Sequence, residues 1–258
     1  MNPKVAIIIA NYNYENYVIK AINSALNQNY NGEIRIYVVD DGSSDSSWEK
    51  ISEITDPVTS IEMIELHYRG DIEFRQSKNI FAYRIKNSGA SVARNVAIWQ
   101  AMDWADVFGV LDSDDEYYPN KVEKLVEKLV EYPEVGVAYA DYKIITPEYS
   151  KLELKESYGA LTLLQRCMVH SNSLIKKEFI KQVILPNNEI FDSRLHGPGS
   201  QGFIGCTEDY DLWIRLSKVC IMCHVPECLA IANEHGNNQS LKMTSQIFNQ
   251  HAQILGSR

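Results

Sequence analysis

The chain has 258 residues, of which 45% are apolar and 23% charged, and its formal net charge at pH 7 is −9. This acidic balance argues against a protein that binds nucleic acid, because such proteins usually carry a basic surface. The first apolar run, residues 5–10, is too short for a signal peptide or a membrane-spanning helix. We therefore expect a cytoplasmic protein without a transmembrane segment, with peripheral contact at the inner face of the membrane left open.

Strand and helix patterns alternate in the first half of the chain. Apolar runs predict strands at residues 5–10, 34–39, 61–66, 107–111 and 135–140. Helices are predicted within residues 15–28, after Gly89 and at residues 120–130. This alternation indicates an α/β fold with a mostly parallel central sheet flanked by helices. In such sheets, ligands bind beyond the carboxyl ends of the strands.

The second half of the chain is less regular. Residues 161–169 and 207–218 have helical patterns, and Thr207 is suited to cap the second of these helices. A short strand followed by a helix is predicted at residues 171–182. The glycine-rich residues 193–206 are expected to form a loop.

Five cysteines lie in this second half. Cys220 and Cys223 have the spacing of a metal or redox pair, but no second pair lies at the distance of a zinc site. Residues 219–231 better match a buried strand whose small apolar positions are cysteine. We therefore predict structural cysteines, with metal or redox chemistry at this pair as the alternative.

Three of the predicted strands end in polar or acidic residues. The first runs into Asn11, and the second into Asp40 and Asp41. The fourth ends at Asp112 and Asp114. Because the carboxyl ends of parallel strands meet at one edge of a sheet, these side chains are expected to converge on one crevice. This convergence marks the expected active side of the protein.

Asp112, Ser113 and Asp114 form a D-x-D motif, and two further acids follow it directly. Alternate carboxylates can both reach one divalent cation, and their hard oxygen atoms suit Mg²⁺ or Mn²⁺. A metal ion would also let an acidic protein bind an anionic ligand. The motif therefore indicates a metal site, and a solvated acidic loop is the alternative.

Two other acidic pairs have both a structural and a functional interpretation. Asp40 and Asp41 suit a turn with a helix cap, yet one of them can face the crevice and accept hydrogen bonds from a base or a ribose. Glu208 and Asp209 suit the first turn of a helix through its dipole, and equally a general base at a rigid helix end. His235, taken alone, fits a structural or surface histidine better than a metal or phosphate contact.

Five motifs, taken in their order along the chain, resemble the family 2 glycosyltransferases of the GT-A fold. They are VAIIIANYN, YVVDDGSSD, NSGASVARN, LDSDDEYYP and EDYDLWIRL. The resemblance covers residues 4–141 closely and residues 165–240 more loosely. It implies a single GT-A, Rossmann-like domain with a less regular acceptor-side region towards the C-terminus.

The resemblance further implies an inverting transfer of a hexosyl group from a nucleotide-diphosphate sugar, most often a UDP-sugar, to an acceptor hydroxyl. Ala10 and Tyr12 would line the nucleotide pocket, and Asp41 would contact the base. Asn87 and Arg94 would close over the nucleotide and its phosphates.

For the reacting groups, the resemblance implies a Mn²⁺ or Mg²⁺ cofactor and a carboxylate base. Asp112 and Asp114 match the metal-binding pair, with Asp112 and Ser113 also counted among the donor-binding residues. Asp209 matches the catalytic base. His235 matches a histidine that in some members helps to hold the metal or the diphosphate.

The expected organisation is a nucleotide-sugar-binding half in residues 1–115, an acceptor-binding and catalytic half in residues 116–240, and a helical tail in residues 241–258. Residues 67–84 look like an insertion relative to the family, and with the loop at 193–206 they are expected to shape the acceptor side. A glycan, a lipid-linked oligosaccharide and a protein are all compatible acceptors, as in polysaccharide biosynthesis. A nucleotide-sugar-binding protein without activity and an aspartyl-type phosphatase are the alternatives.

Overall fold

The computed structural model describes residues 2–58, 68, 70–165, 167–195 and 208–236. These residues build one sheet of eleven strands. The strands are β1 (Val5–Asn11), β2 (Ile34–Asp40), β3 (Asp56–Pro57), β4 (Glu73–Ser77), β5 (Ile80–Arg84), β6 (Val107–Val110), β7 (Glu116–Tyr117), β8 (Val135–Ile145), β9 (Ser150–Glu153), β10 (Leu174–Lys176) and β11 (Ile221–Asn233). Neighbouring strands follow the order β3-β4-β5-β2-β1-β6-β10-β8-β11-β7, and β9 pairs with β8.

Seven helices lie in the described part of the chain. They are α1 (Val18–Leu26), α2 (Ser47–Glu53), α3 (Ala90–Ala101), α4 (Lys121–Glu131), α5 (Ala160–Gln165), α6 (Lys177–Gln182) and α7 (Glu208–Leu216). Helices α3 and α7 contribute to the apolar layer on one face of the sheet, and α1 and α4 to the layer on the other.

The centre of the sheet is parallel, as predicted. Strands β5, β2, β1 and β6 run side by side in the same direction. Within β1, Ala6 and Ile8 pack into one apolar layer, whereas Ile7 and Ile9 pack into the other. A strand that is apolar at consecutive positions needs cover on both faces, which the two helical layers provide. The carboxyl ends of these strands therefore all lie at the same edge, where the polar residues follow.

The sheet continues from the first half of the chain into the second without a break. Strand β10 runs antiparallel to both of its neighbours, β6 and β8. Strands β8 and β11 then pair in parallel, and β7 lies antiparallel on the outside of β11. Residues from 1–115 and 116–240 thus share one sheet, which is consistent with a single domain.

Most of the segment expected to be an acceptor-side insertion, residues 67–84, forms strands of the sheet, and its part in acceptor binding stays a prediction. Strand β5 is the third parallel strand of the core, with Ile80 opposite Ile36 of β2. Strand β4 folds back on β5 as a hairpin, and Phe74 stacks on Tyr83 at 4.8 Å between ring centroids. The alternating aromatic residues of this segment are therefore sheet residues. The strand predicted at 61–66 lies outside the described residues.

Most of the remaining predicted elements are confirmed with small shifts of their ends. The helix predicted at 161–169 is shorter, because α5 ends at Gln165 and β10 follows after a polar loop. Most of the cysteine-rich segment is strand β11, which contains Cys223 and Cys228. In the described part of the chain, Cys167, Cys220, Cys223 and Cys228 are free thiols. Thr207, residues 196–206 and the tail at 241–258 lie outside the described residues.

No helix in the described part of the chain has both the length and the apolar character needed to cross a bilayer.

Candidate active site

The loop after β1 is tied to the loop after β2. Asn11, at the end of β1, donates from Nδ2 to Asp40 Oδ2 at 2.9 Å. Ser43 Oγ donates to the same carboxylate at 2.6 Å and accepts a hydrogen bond from the backbone of Asn13. Asn13 itself has a positive φ of 59°, and its Oδ1 accepts from the backbone N–H of Ser44. The buried Asp40 is thus used in the turn, which agrees with one half of the sequence interpretation.

The second acid, Asp41, joins the end of β2 to the start of α3. Its carboxylate accepts hydrogen bonds from the backbone N–H groups of Ser88 and Gly89, both at 2.7 Å. Asn87 donates from Nδ2 to the carbonyl oxygen of Asp41 at 3.0 Å. Gly42 makes this contact possible, because its φ is +71° and a Cβ there would lie 2.8 Å from the backbone nitrogen of Asn87. Asp41 and Asn87 are therefore brought together as expected, while their contact with a nucleotide stays a prediction.

Burial decides the charge state of Asp41. The side chain is almost fully removed from water, and this raises the pKa of Asp41 to about 6, although the two backbone N–H groups favour the ionised form. A carboxyl group with this pKa changes its charge just below neutral pH.

Two further residues of the predicted nucleotide pocket, Ala10 and Tyr12, lie at the same edge of the sheet. Ala10 is partly buried at the end of β1, and Tyr12 is 43% exposed in the loop that follows. Tyr12 presents its ring to solvent beside the anchored turn, which is a suitable position for a surface that stacks on a planar base. The structure therefore brings Ala10, Tyr12 and Asp41 to one edge of the sheet.

The D-x-D motif follows β6, and its two aspartates have different environments. Asp112 accepts a hydrogen bond from Arg94 Nη2 at 2.8 Å and another from Ser171 Oγ at 2.6 Å. Burial opposes ionisation of Asp112, but Arg94 and Ser171 hold its pKa below the usual range. Ser113, between the two acids, is buried. Asp112 is therefore an ionised carboxylate whose negative charge is partly offset by Arg94.

The pKa of Asp114 is shifted in the opposite direction. Burial and the charge of Asp112 raise the pKa of Asp114 to about 6, and His235 opposes this shift. His235 Nε2 lies 3.2 Å from Asp114 Oδ2. The residues that follow β11 therefore reach the D-x-D motif. Positive charge placed beside Asp114 would favour its ionised form.

Arg94 connects the D-x-D motif to the E-D pair of α7. Besides Asp112, its guanidinium contacts Glu208 Oε1 at 2.6 Å and Asp209 Oδ1 at 3.6 Å. Burial works against the charged form of Arg94, but the three carboxylates raise its pKa well above the ordinary value. Burial likewise raises the pKa of Glu208, with Arg94 opposing the shift. Asp209 is the more exposed acid of the pair, with 22% of its side chain accessible against 2% for Glu208.

The polar loop before β10 donates hydrogen bonds to the acidic cluster, and sequence reasoning missed this loop. Ser171 donates to Asp112, and Asn172 donates from Nδ2 to Asp115 at 2.9 Å. Burial lowers the pKa of the neighbouring His170 to about 3, so this ring is neutral. The only sequence signal for this loop is the run of polar residues directly before a short apolar strand.

Asp115 is a further residue whose role the sequence did not reveal. It is buried, and burial together with the charges of Asp112 and Asp114 raises its pKa well above the ordinary value. Its carboxylate accepts hydrogen bonds from Asn172 and from the backbone N–H of Asn233 at 3.1 Å. Asp115 therefore anchors two loops beneath the D-x-D motif.

Asp114 and His235 could supply two of the ligands of a divalent cation, and a bound anionic ligand could supply others. Within the described ranges, no group of three or more His, Cys, Asp and Glu side chains is arranged to hold a metal. Asp114 and His235 offer two ligand atoms that lie 3.2 Å apart. Two atoms bound at about 2.1 Å and at right angles to one octahedral ion are about 3 Å apart. Mg²⁺ is commonly bound by one or two carboxylates together with substrate phosphates, and Asp114 can supply one such carboxylate with His235 beside it.

Comparison with known proteins finds relatives of one family. The model of the family described as glycosyl transferase family 2 matches residues 6–188. An uncharacterized glycosyltransferase of Rickettsia felis is 29% identical over 99% of this chain, and one of Haemophilus influenzae is 26% identical over 96%. The chain spans 38% of the length of the first relative and 69% of the second.

Solved structures show the same fold. The structure of residues 1–349 of S. aureus TarS in complex with UDP-GlcNAc matches with a TM-score of 0.68 and 16% identity, over 98% of this chain and 66% of that one. The complex of the same TarS segment with UDP matches with a TM-score of 0.64 and 17% identity, over 98% and 64% of the two chains. The fold is therefore that of the GT-A glycosyltransferases, as the sequence motifs implied.

Proposed function

Because the chain belongs to glycosyl transferase family 2, we propose that it transfers a sugar from a UDP-linked donor to an acceptor hydroxyl, with inversion at the anomeric carbon. The acceptor is a hydroxyl of a glycan, a lipid-linked sugar or a protein. The proposal assigns separate tasks to the loops at the carboxyl edge of the sheet, and the contacts described above support each assignment.

One observation carries the proposal: a single guanidinium touches both acidic motifs. Arg94 lies 2.8 Å from Asp112 and 3.6 Å from Asp209. A donor diphosphate bound at the D-x-D motif would therefore place its sugar within reach of the E-D pair. Transfer chemistry requires this proximity, because the leaving group and the base act on opposite sides of one carbon atom.

The nucleotide is proposed to bind at the β1 and β2 loops. Tyr12 supplies an exposed aromatic surface, while Asp41 and Asn87 supply polar groups in the anchored turn. A base with both N–H and C=O groups, such as uracil, can use such neighbours. The TarS structures in complex with UDP and UDP-GlcNAc support uridine as the nucleoside of the donor.

The diphosphate is proposed to bind together with Mn²⁺ or Mg²⁺ at Asp114 and His235, with Asp112 adding negative charge from its place beside Arg94. A bound divalent cation supplies Lewis-acid stabilisation of the charge that develops on a diphosphate leaving group. Arg94 offsets part of the negative charge of the carboxylates around it, which lessens the repulsion that an anionic diphosphate meets.

Asp209 is proposed as the general base. It lies in the first turn of α7, and it is more accessible than Glu208, which is buried against Arg94. The acceptor hydroxyl gives its proton to Asp209 as its oxygen attacks the anomeric carbon from the face opposite the diphosphate. A carboxylate base of this kind contributes about 10²–10⁴ to the rate. Glu208, held by Arg94, fixes the start of the helix that carries the base.

The proposal is tested by thermal unfolding with UDP, GDP, CDP and dTDP, each with and without Mn²⁺. A ligand that binds the folded state at a hundredfold excess over its dissociation constant adds about 2.7 kcal/mol of stability. We expect UDP with Mn²⁺ to raise the Tm most, followed by slow hydrolysis of the matching UDP-sugar. No shift with any nucleotide would contradict a nucleotide-diphosphate site, and binding without transfer or hydrolysis would favour a non-enzymatic binding protein.

A further inference from the structure

The imidazole of His235 is packed between two tyrosine rings. Tyr17 stacks on it with ring centroids 4.6 Å apart and an interplanar angle of 21°. Tyr14 meets it edge to face at 5.4 Å and 69°. Tyr14 and Tyr17 also contact each other at 6.2 Å. We name Tyr14 and Tyr17 the tyrosine seat. It comes from the loop after β1, so residues more than two hundred positions apart meet at this point.

The tyrosine seat rests on a well-anchored loop. The backbone N–H groups of residues 13–15 all donate to side chains of the loop after β2 or of the first residue of α2. The acceptors are Ser43, Ser47 and Asp45, at 2.9, 3.2 and 3.0 Å. Lys50 of α2 adds a hydrogen bond to the carbonyl oxygen of Glu15 at 2.9 Å. The rings therefore project from backbone that is held at several points, which is how a rigid support for another side chain is built.

The segment that carries His235 is held from its other side by the acidic cluster. Asn233 donates from its backbone N–H to Asp115 and from Nδ2 to the carbonyl oxygen of Asp114 at 2.7 Å. Asn233 thus fixes the backbone two residues before His235, and the tyrosine seat fixes the ring. Together they leave Nε2 of His235 facing Asp114 Oδ2 at 3.2 Å.

We propose that Tyr17 is a positioning residue that orients His235 towards Asp114 before the nucleotide arrives. This inference rests on the proposed function, in which Asp114 and His235 receive the cation that accompanies the diphosphate. An imidazole that is free to rotate must be ordered when the ligand binds, and this ordering lowers affinity. Stacking on Tyr17 removes that cost in advance. The hydroxyl group of Tyr17 has no part in this role.

The test is a double-mutant cycle on the intact chain. The variants are Tyr17→Leu, Tyr17→Phe, His235→Ala and the double variant of Tyr17→Leu with His235→Ala. Calorimetry gives the affinity for UDP with and without Mn²⁺. Tyr17→Leu is expected to weaken binding in the presence of Mn²⁺ by about threefold to tenfold. Tyr17→Phe keeps the ring and is expected to bind like wild type. In the His235→Ala background, Tyr17→Leu is expected to have no further effect.

Each other outcome has a definite meaning. Equal UDP affinity of the wild type with and without Mn²⁺ would contradict the proposed function and, with it, the role of Tyr17. Metal-dependent wild-type binding that Tyr17→Leu retains in full would contradict the role of Tyr17 alone. An equal loss from Tyr17→Leu in both backgrounds would show that it acts on the fold and not through His235.

If the Tyr17→Leu variant does not fold, a measurement on the ligand-free wild-type protein still tests the inference. Stacking on Tyr17 should shift the carbon-bound ring protons of His235 upfield in the histidine NMR spectrum, with His235→Gln identifying the signals. Tyr17→Phe should preserve the shift. Signals of His235 at the positions of a freely exposed histidine would overturn the inference.

Discussion

Arg94 and Glu208 form a buried ion pair, with 2.6 Å between Nη1 and Oε1 and less than a tenth of either side chain exposed. The pair joins the N-terminal part of α3 to the first turn of α7. Through its second nitrogen, Arg94 also holds Asp112 of the D-x-D motif. The donor side and the base side of the candidate active site are therefore braced by one side chain.

Replacing Arg94 should destabilise the protein strongly. Arg94→Met leaves Asp112 and Glu208 without their cation, and breaking a buried pair in this way costs about 3–5 kcal/mol. Arg94→Lys keeps the charge but loses the forked geometry, so its loss should be smaller. Urea unfolding measures both. In the background of Glu208→Gln, which removes one of the charges, Arg94→Met should cost less. A loss below about 1 kcal/mol for Arg94→Met would show that the ion pair contributes little.

Asp209→Asn should abolish most of the turnover and leave donor binding intact. The amide cannot accept the acceptor's proton, so we expect a fall in kcat of about 10²–10⁴. The dissociation constant for UDP with Mn²⁺ should stay close to that of the wild type. Glu131→Gln, an exposed change of the same chemistry on α4, serves as the matched control. A decrease of less than tenfold would mean that another group is the base.

Asp114→Asn should weaken UDP binding only when the metal is present. With Mn²⁺, affinity should fall, because the cation loses a charged oxygen ligand. Without Mn²⁺, affinity should stay equal or rise, because one negative charge that repels the diphosphate has gone. Calorimetry under both conditions distinguishes these effects. Weaker binding by the same factor in both conditions would indicate a structural defect instead of a lost metal ligand.

Asp41 should make the stability of the protein depend on pH. Its pKa is about 6 in the folded state and about 3.9 in an unfolded chain. The unfolded state therefore loses this proton first as pH rises, and the contribution of Asp41 to stability decreases between about pH 4 and pH 6, by on the order of 3 kcal/mol. Asp41→Asn cannot titrate.

The free energies of unfolding of wild type and Asp41→Asn, measured by urea at pH 4.5, 5.5 and 7, check this prediction. The wild-type value minus the variant value should become smaller as pH rises. The variant also loses an acceptor for Ser88 or Gly89, which adds a constant offset but no slope. A difference that stays constant or grows with pH would mean that the backbone N–H groups outweigh burial.

The amino-acid sequence alone determined the parallel core and the polar edge at its strand ends. Residues 5–10 and 107–111 are apolar at every or nearly every position, and Asp40, Asp41 and Asp112 follow such runs directly. Local periodicity and the polar residues at strand ends carry this information, because they depend on neighbours in the chain. The same ordered motifs were sufficient to indicate the family and the residues of the D-x-D and E-D pairs.

Only the tertiary structure decided which partners these residues have. The third parallel strand of the core is β5, at residues 80–84, where the sequence patterns had indicated no strand. Asp112 is paired with Arg94 and accepts a hydrogen bond from Ser171, and His235 lies against Tyr17 and Asp114. These contacts join residues that are between 18 and more than two hundred positions apart. Ion pairing, ring stacking and burial act through space, so no pattern of neighbouring residues could have specified them.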